Sequence, residues 1–569
     1  MIVYSSRERA ASAPVVLSEL RRELETLARC PSPSLDGVRS LLVALGEFEA
    51  AVVDALSPDG DGPRPPSAAL RRASLDMGHA LHHSWRRTGQ ALRWLERLRG
   101  SLAALPELTH LPSLTVRVPE GFAYYALYPE AYLLAAARFL SGRDRADAVV
   151  IGIRSIGTAL SGVVGAALEE AGWTVESWTV RPRGHPFDRR VHLEPALAES
   201  LWRRAGAHFL IIDEGPGLSG SSFASVAAAL SNLGVPDDHI GFFPSSLPDP
   251  DRLVSEEARR RWRRHQAWTA PFEDIWPRES SPSTGTLTEV SGGAWRPLVF
   301  PNESLYPAVH PQHERRKYLR AEAKGGRVLL KFEGLGAYGR RKRDRAERLH
   351  EAGFAPRPLG LDQGFLETEF VEARRAPGAI DAALVETAAR YLAFLRREFP
   401  DGPARPECLL EMIRVNVEEG LGPPWSRSLT RLERALPAIA GEMAVALDGR
   451  MLAHEWVLSA RGWLKADALD HHDDHFFPGC HDICWDLAGF AIEFALDDGQ
   501  RAVFTQRYEA LSGDREVGRR WPFYEVAYLA FRLGYTTLAA RTLETSPDGD
   551  RFAALSGRYA ARLRRALSA

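Results

Sequence analysis

Apolar residues recur at helical spacing from Val15 to Ala28 and from Leu35 to Leu56, which predicts two amphipathic helices. The stretch Asp59-Gly60-Asp61-Gly62-Pro63-Arg64-Pro65-Pro66 carries turn chemistry and predicts a loop, and a further helix is expected from Ala68 to Leu102. After Ser113 the pattern changes. Strand-like segments at Ala148–Ile153, Thr174–Val180, Phe209–Ile212 and Ile240–Phe243 alternate with helical segments at Gly157–Ala171, Glu194–Ala205 and Ser222–Leu233. Strand–helix alternation of this kind predicts a parallel sheet with helices on its faces. Glu256–Arg264 reads as a solvated charged helix. Residues 266–300, rich in Pro, Ser, Gly and Trp, read as a linker. Beyond it a strand at Arg327–Phe332 and a helix at Arg340–Gly353 precede a mostly helical remainder. The expected fold is therefore multidomain, α/β and α+β. It comprises a helical region at 1–112, a parallel-sheet domain at 113–265, the linker, and a two-lobed domain at 301–569. No internal repeat is visible.

Size and charge add limits. A chain of 569 residues exceeds what one core usually serves. A net charge of −2 implies no general attraction to nucleic acid or to an anionic membrane. Four cysteines make no disulfide framework at this length, so a reducing cytoplasm is expected. Met1–Arg9 lacks the apolar run of a signal peptide, and no stretch is long and apolar enough for a spanning helix.

The densest candidate chemistry follows the run Phe209–Ile212. Asp213 and Glu214 stand at the end of that strand, and Gly217, Leu218, Ser219, Gly220, Ser221 and Ser222 lead into a helix. Such a loop offers backbone N–H groups and hydroxyls beside a helix N-terminus, which suits a phosphate. Ionised acids beside it suit the hydroxyls of a ribose. The order resembles the signature of type I phosphoribosyltransferases, with Ser where Thr is usual and Pro216 before the loop. The resemblance implies that Asp213 and Glu214 hold the ribose of 5-phosphoribosyl-1-pyrophosphate, and that residues 217–222 hold its 5′-phosphate. It implies Mg2+ as cofactor, with Asp213 on the metal side. Arg154 and Ser155, at the end of the first strand, then fall at the pyrophosphate loop. Arg181 and Arg183 fall in a basic hood with His185. The aromatic stretch Gly121–Glu130 reads as a core piece rather than a ring-stacking platform.

The second half resembles the aminoglycoside-phosphotransferase and protein-kinase-like fold. Lys331, inside the apolar run Arg327–Phe332, matches the family's nucleotide-binding lysine. Glu347 is the expected helix partner by register, with Glu351 the alternative, and Phe365–Glu372, containing Glu369, matches the segment that joins the lobes. His454 marks the catalytic segment and Asp467 the metal-binding acid; Asp482–Gly489 resembles the stretch that closes the site. No Asp follows His454 at the catalytic-base position and no Asn follows it, so activity in this half stays open. The run Asp470-His471-His472-Asp473-Asp474-His475, with Cys480, His481 and Cys484 nearby, fits an oxygen-rich Mg2+ or substrate loop better than a zinc site. His79, His82 and His83 read as surface and interhelix histidines, because no acid or cysteine stands at ligand spacing beside them.

Three functions compete. The first is a transferase using phosphoribosyl pyrophosphate and Mg2+ on an acceptor that the sequence does not name. The second is an ATP-dependent small-molecule phosphotransferase with a regulatory nucleotide or sugar-phosphate site. The third is a non-catalytic nucleotide sensor. Small molecules are the expected partners in each.

Overall fold

The computed structural model describes residues 1–569 except 6, 106, 107, 110, 112, 186, 218, 277–286, 323, 324, 374–379, 427, 428 and 569. The chain begins with a short strand, β1 (Glu8–Ala11), and the helices α1 (Ala13–Ala28), α2 (Leu35–Leu56), α3 (Pro65–Trp85) and α4 (Ala91–Ala103). One expected helix is thus two. The break falls at Arg87 and Gly89, both at positive φ (53° and 75°), a conformation that no helix accommodates. Strand β2 (Leu114–Arg117) pairs antiparallel with β1 and is followed by α5 (Glu120–Ala123) and α6 (Glu130–Leu140).

The parallel sheet follows: β3 (Asp147–Ile153), α7 (Gly157–Glu170), β4 (Thr174–Val180), α8 (Pro195–Arg203), β5 (His208–Ile212), α9 (Ser221–Asn232), β6 (Ile240–Phe243), α10 (Glu256–Arg264) and β7 (Gln266–Ala267). Its strand order is β4-β3-β5-β6-β7, every pair parallel. The chain reverses direction across the sheet between β3 and β5, so loops leaving their C-terminal ends frame a crevice. α10 is more than a solvated face, since Ala258 and Trp262 are buried with Phe223 and Phe242 under the sheet.

A second sheet is antiparallel, in the order β11-β12-β10-β9-β8: β8 (Leu287–Glu289), β9 (Lys317–Ala321), β10 (Arg327–Phe332), β11 (Pro358–Asp362) and β12 (Phe365–Glu369). The stretch expected to be a linker therefore gives β7 to one sheet and β8 to the other; residues 277–286 of it lie outside the described residues. Two- and three-residue strands carry too little alternation to be read from sequence. The helix Ala337–Glu351 packs on this sheet, and the rest is a helical lobe holding the hairpin Trp456–Ser459/Gly462–Lys465.

Three apolar clusters hold the molecule together. One runs from α1–α4 across one face of the parallel sheet to Val328, Leu330 and Phe332 of the second sheet. A second fills the helical lobe, and a third lies under the far face of the parallel sheet. α7 is buried along almost its whole length, which its small residues permit. A Cβ on Gly78 of α3 would stand 2.3 Å from the Gly162 carbonyl oxygen of α7, and one on Gly162 would stand 2.5 Å from the Ser74 carbonyl oxygen. Glycine at both positions lets the two helices touch backbone to backbone. Among the described residues, no helix is long and apolar enough to cross a membrane.

Candidate functional site

The acid pair lies where strand alternation places it, at the C-terminal end of β5 beside the start of α7. Backbone N–H groups of Glu214 and Gly157 donate to the Asp213 carboxylate, and the Gly121 N–H donates to Glu214 Oε2 at 2.9 Å. No lysine or arginine forms an ion pair with either acid among the described residues. Burial is the main reason that Asp213 is pushed up to about 7. Glu214 is pushed up to about 8, by burial first and then by the neighbouring Glu120 and Asp213. The loop that follows turns through Gly217 (φ 58°) and Gly220 (φ 61°), the residue preceding α9, and Ser219 Oγ lies 3.1 Å from Ser221 Oγ. Ser222 is the second residue of α9. Leu218 lies outside the described residues.

The arginines expected at a pyrophosphate are committed elsewhere. Arg154 is fully buried, with Nε 2.8 Å from Asp54 Oδ1 and Nη2 2.5 Å from Asp61 Oδ1. Arg181 forks onto Asp54 and donates its backbone N–H to Asp61 Oδ2 at 2.8 Å. Arg183 reaches Asp61 Oδ2 at 3.3 Å and donates to the carbonyls of Ser57 and Pro58. Two aspartates from the end of α2 and the loop after it thus engage all three arginines, and no local pattern announces partners more than 90 residues away in sequence. Of this loop system, Ser155 remains at the turn before α7, its carbonyl accepting from Thr158 N at 3.2 Å. His185 stands beside Phe187, exposed, and Pro186 lies outside the described residues.

In the second half, Lys331 projects from β10 into a cleft between the antiparallel sheet and the helical lobe. Its Nζ lies 2.7 Å from Asp467 Oδ1, 3.1 Å from Asp470 Oδ1 and 3.2 Å from Glu333 Oε1. Burial alone would depress this ammonium, but the three carboxylates outweigh it and hold the pKa well above the usual lysine value. Asp467 and Asp470 are held below theirs: burial opposes, and the Lys331 charge prevails. Arg315 braces the acids from behind, with Nε 2.8 Å from Asp470 Oδ2.

Glu347 is not the partner of Lys331. It faces solvent beside Arg343 at 3.5 Å. The side of its helix that turns inward carries Tyr338, Lys342 and Arg345, and five residues beyond Lys342 is about 140° round the helix. The carboxylate near Lys331 comes instead from Glu333, two residues along the same chain. Both Glu333 oxygens are buried without a hydrogen-bond partner, as is Lys342 Nζ, 3.9 Å away.

Glu369 ends β12 at the rim of the cleft, accepting from Arg357 N at 3.0 Å and pairing with Arg461. His454 stacks on Trp295, and burial, then the charge of Lys465, depress it to about 3. Sequence reasoning missed Lys465 altogether. Its buried ammonium meets Asp448 Oδ1 at 2.9 Å, Glu455 Oε2 at 2.7 Å and the carbonyls of Arg450 and Asp467 at 3.0 and 2.6 Å. Asp486 accepts the N–H groups of Asp448 and Gly449, both at 2.8 Å, and so fixes that loop. The cysteines do not join the histidines: Cys484 is buried against Val517, and His481 bonds the Tyr524 hydroxyl at 3.1 Å. Asp467, Asp470 and His471 converge instead, an oxygen-rich set that fits Mg2+.

The cleft encloses about 700 Å3. Leu329, Val457 and Ala466 line it near Lys331, Thr368–Phe370 edge it, and Trp295, Arg532, Tyr535, Phe552 and Tyr559 form the far wall. A narrow bridge joins it to the acid pair. Gly121 donates to Glu214, Tyr124 OH to the Asp473 carbonyl, and Tyr125 OH lies 3.2 Å from His475 Nε2. Arg315 lies over the Tyr124 ring at 4.4 Å.

No protein-family profile matches the chain, and no curated protein matches it. Among solved structures it is similar to choline kinase LicA from Streptococcus pneumoniae (15% identity over 44% of this chain and 89% of that one, TM-score 0.31). It is also similar to macrolide 2′-phosphotransferase MphH from Brachybacterium faecium (15%, 50% and 96%, TM-score 0.32). A third is a choline/ethanolamine kinase family protein from Mesorhizobium loti (13%, 44% and 88%, TM-score 0.33). Likenesses at this level assign neither an activity nor a substrate to this chain.

Proposed function

We propose that this chain is an ATP-dependent small-molecule phosphotransferase, and that the acid pair of its parallel sheet is a regulatory sugar-phosphate site. The observation that carries the first part is the Lys331 ammonium held 2.7 Å from Asp467 and 3.1 Å from Asp470 at the wall of a 700 Å3 cleft. Lys331 would pass to the nucleotide phosphates, releasing Asp467 and Asp470 to hold Mg2+, which when bound neutralises phosphate charge. Leu329 and Val457 give an apolar slot for the base beside Thr368–Phe370, and the aromatic wall with Arg532 would face the acceptor. Phosphoryl transfer passes through a loose transition state that asks for positioning and charge neutralisation more than for a strong base, which accords with a cleft lacking an aspartate after His454. Lys465 supplies a fixed positive charge between Asp448 and Glu455, so those acids need no second metal ion.

Calorimetry with ATP and Mg2+, followed by mass spectrometry of a metabolite extract incubated with the protein, tests this. Binding and label transfer are expected in the wild type, with a loss of about 100-fold or more in Lys331→Ala and Asp467→Asn. Absence of ATP binding in the folded wild type would sink the proposal.

A second reading, transfer from phosphoribosyl pyrophosphate, is favoured by one specific feature: two half-buried acids with no lysine or arginine at ion-pair distance among the described residues, beside the turn through Gly217 and Gly220. With Arg181 and Arg183 engaged, its pyrophosphate would depend on backbone N–H groups of the turn at Arg154–Thr158. Donor breakdown that disappears in the Asp213→Asn/Glu214→Gln variant is the result that would promote it.

A further inference from the structure

We propose that His79, His83 and Glu170 bind one divalent transition-metal ion of the zinc class, at the contact of α3 with α7 and apart from the two sites above. The histidines are four residues apart on α3 and so share a face. The acid that their own helix lacks comes from the last turn of α7, brought close by the Gly78–Gly162 contact. Glu170 Oε1 lies 2.7 Å from His79 Nδ1 and 3.0 Å from His83 Nε2. All three ligand atoms lie within 4.8 Å of one another.

The far side of each ring is the telling part. His79 Nε2 lies 2.7 Å from Glu169 Oε2, and His83 Nδ1 lies 2.9 Å from Thr88 Oγ1. Glu169 is itself steadied by Arg72 at 3.3 Å. Each imidazole thus has an oxygen behind it that can take its N–H, and in the tautomer a bound cation would select the other nitrogen turns its lone pair toward Glu170. Lone pairs facing a carboxylate need protons or a cation between them. Outer oxygens that fix the ring orientation and tautomer are what metal-ligating histidines almost always have. Trp94 lies flat on His79, ring centroids 3.7 Å apart and 5° from parallel, and locks the ring plane.

The donor set of two imidazoles and one carboxylate suits Zn2+, Co2+ or Ni2+ rather than Mg2+ or Ca2+. Tetrahedral zinc with bonds of about 2.0–2.1 Å spaces its ligands about 3.3 Å apart, so the cluster needs to open by only a few tenths of an ångström. His79 is 2% exposed, whereas the Glu170 side chain is 29% exposed, leaving a fourth position for water on the solvent side.

The test uses the full chain, stripped with a chelator, dialysed, and titrated with Zn2+ and separately with Co2+, in an Asp467→Asn/His471→Gln background so that neither carboxylate–histidine set of the cleft is complete. One equivalent of zinc by elemental analysis after gel filtration is expected, and visible ligand-field bands of low-coordinate Co2+. Glu170→Gln, a partly exposed and volume-conserving change, should weaken binding about 100-fold or more, and Glu169→Gln about 10- to 100-fold through ring orientation. His83→Ala should abolish the Co2+ bands; circular dichroism checks that each variant is folded. Less than a tenth of an equivalent at tens of micromolar free zinc overturns the proposal, and so does unchanged affinity in folded Glu170→Gln.

Discussion

Asp213 and Glu214 share one small region, where backbone N–H groups are their hydrogen-bond donors. Their folded carboxyls titrate near 7 and 8, against ordinary values of 3.8 and 4.5. The sign follows directly: between about pH 4 and pH 8 the folded protein binds more protons than the unfolded chain, so stability is greatest below that window and falls as pH rises through it. Asp213→Asn/Glu214→Gln should flatten the dependence and raise stability at pH 8 by on the order of 1–2 kcal/mol, below the full 1.36 kcal/mol per unit because water reaches part of the site. Thermal melts across that range check it, and an unchanged profile would show that the acids meet a cation in solution. In the cleft, Glu333→Gln should weaken ATP binding about tenfold by unbalancing the charges around Lys331, while Glu347→Gln should leave it within about twofold. Equal effects would mean that the two glutamates have been given the wrong places. Residue identity told much here and pairing told little. Lys331, Asp467 and the acid pair stand out in the chain as chemistry inside apolar surroundings. The pairing of Arg154, Arg181 and Arg183 with Asp54 and Asp61 depends on how distant segments meet, and no spacing rule carries that information.

At the scale of elements, the parallel sheet was the most readable part. Thr174–Val180 and Ile240–Phe243 are strands to the residue, and the three helices between strands end within two residues of their expected bounds. The buried strands at Asp147–Ile153, His208–Ile212 and Ile240–Phe243 carry continuous apolar runs, so the pattern is strong there. β7, β8 and the α3–α4 break were not readable, because their signal lies in tertiary pairing or in backbone dihedrals. The contact of α3 with α7 yields a prediction of its own. Gly162→Ala would drive a methyl into the Ser74 carbonyl and should cost about 1–3 kcal/mol. Denaturant titration measures the loss. A neutral substitution would mean that the helices have room to part.

For the whole molecule, the first residues and the cleft are one structure. Asn416 accepts from Ile2 N at 2.6 Å and donates to the Ile2 carbonyl at 2.8 Å, Ser5 N donates to the His475 carbonyl at 2.7 Å, and Arg7 reaches the Asp474 and Phe476 carbonyls. Removing residues 2–7 should weaken ATP binding about tenfold or more while leaving zinc uptake at α3 and α7 intact; calorimetry and elemental analysis separate the two. The strap Gly121–Tyr125 leads further. Its Gly121 N–H holds Glu214 and its Tyr124 hydroxyl holds the Asp473 carbonyl, so one short piece of backbone ties the acid pair to the loop behind the cleft. A protein made as two pieces, one ending at Trp276 and the other starting at Leu287, should be inert until the pieces are mixed. A ligand that shifts the strap from one end should alter binding at the other, and by linkage to the same extent in both directions, which calorimetry with each ligand in the presence of the other measures.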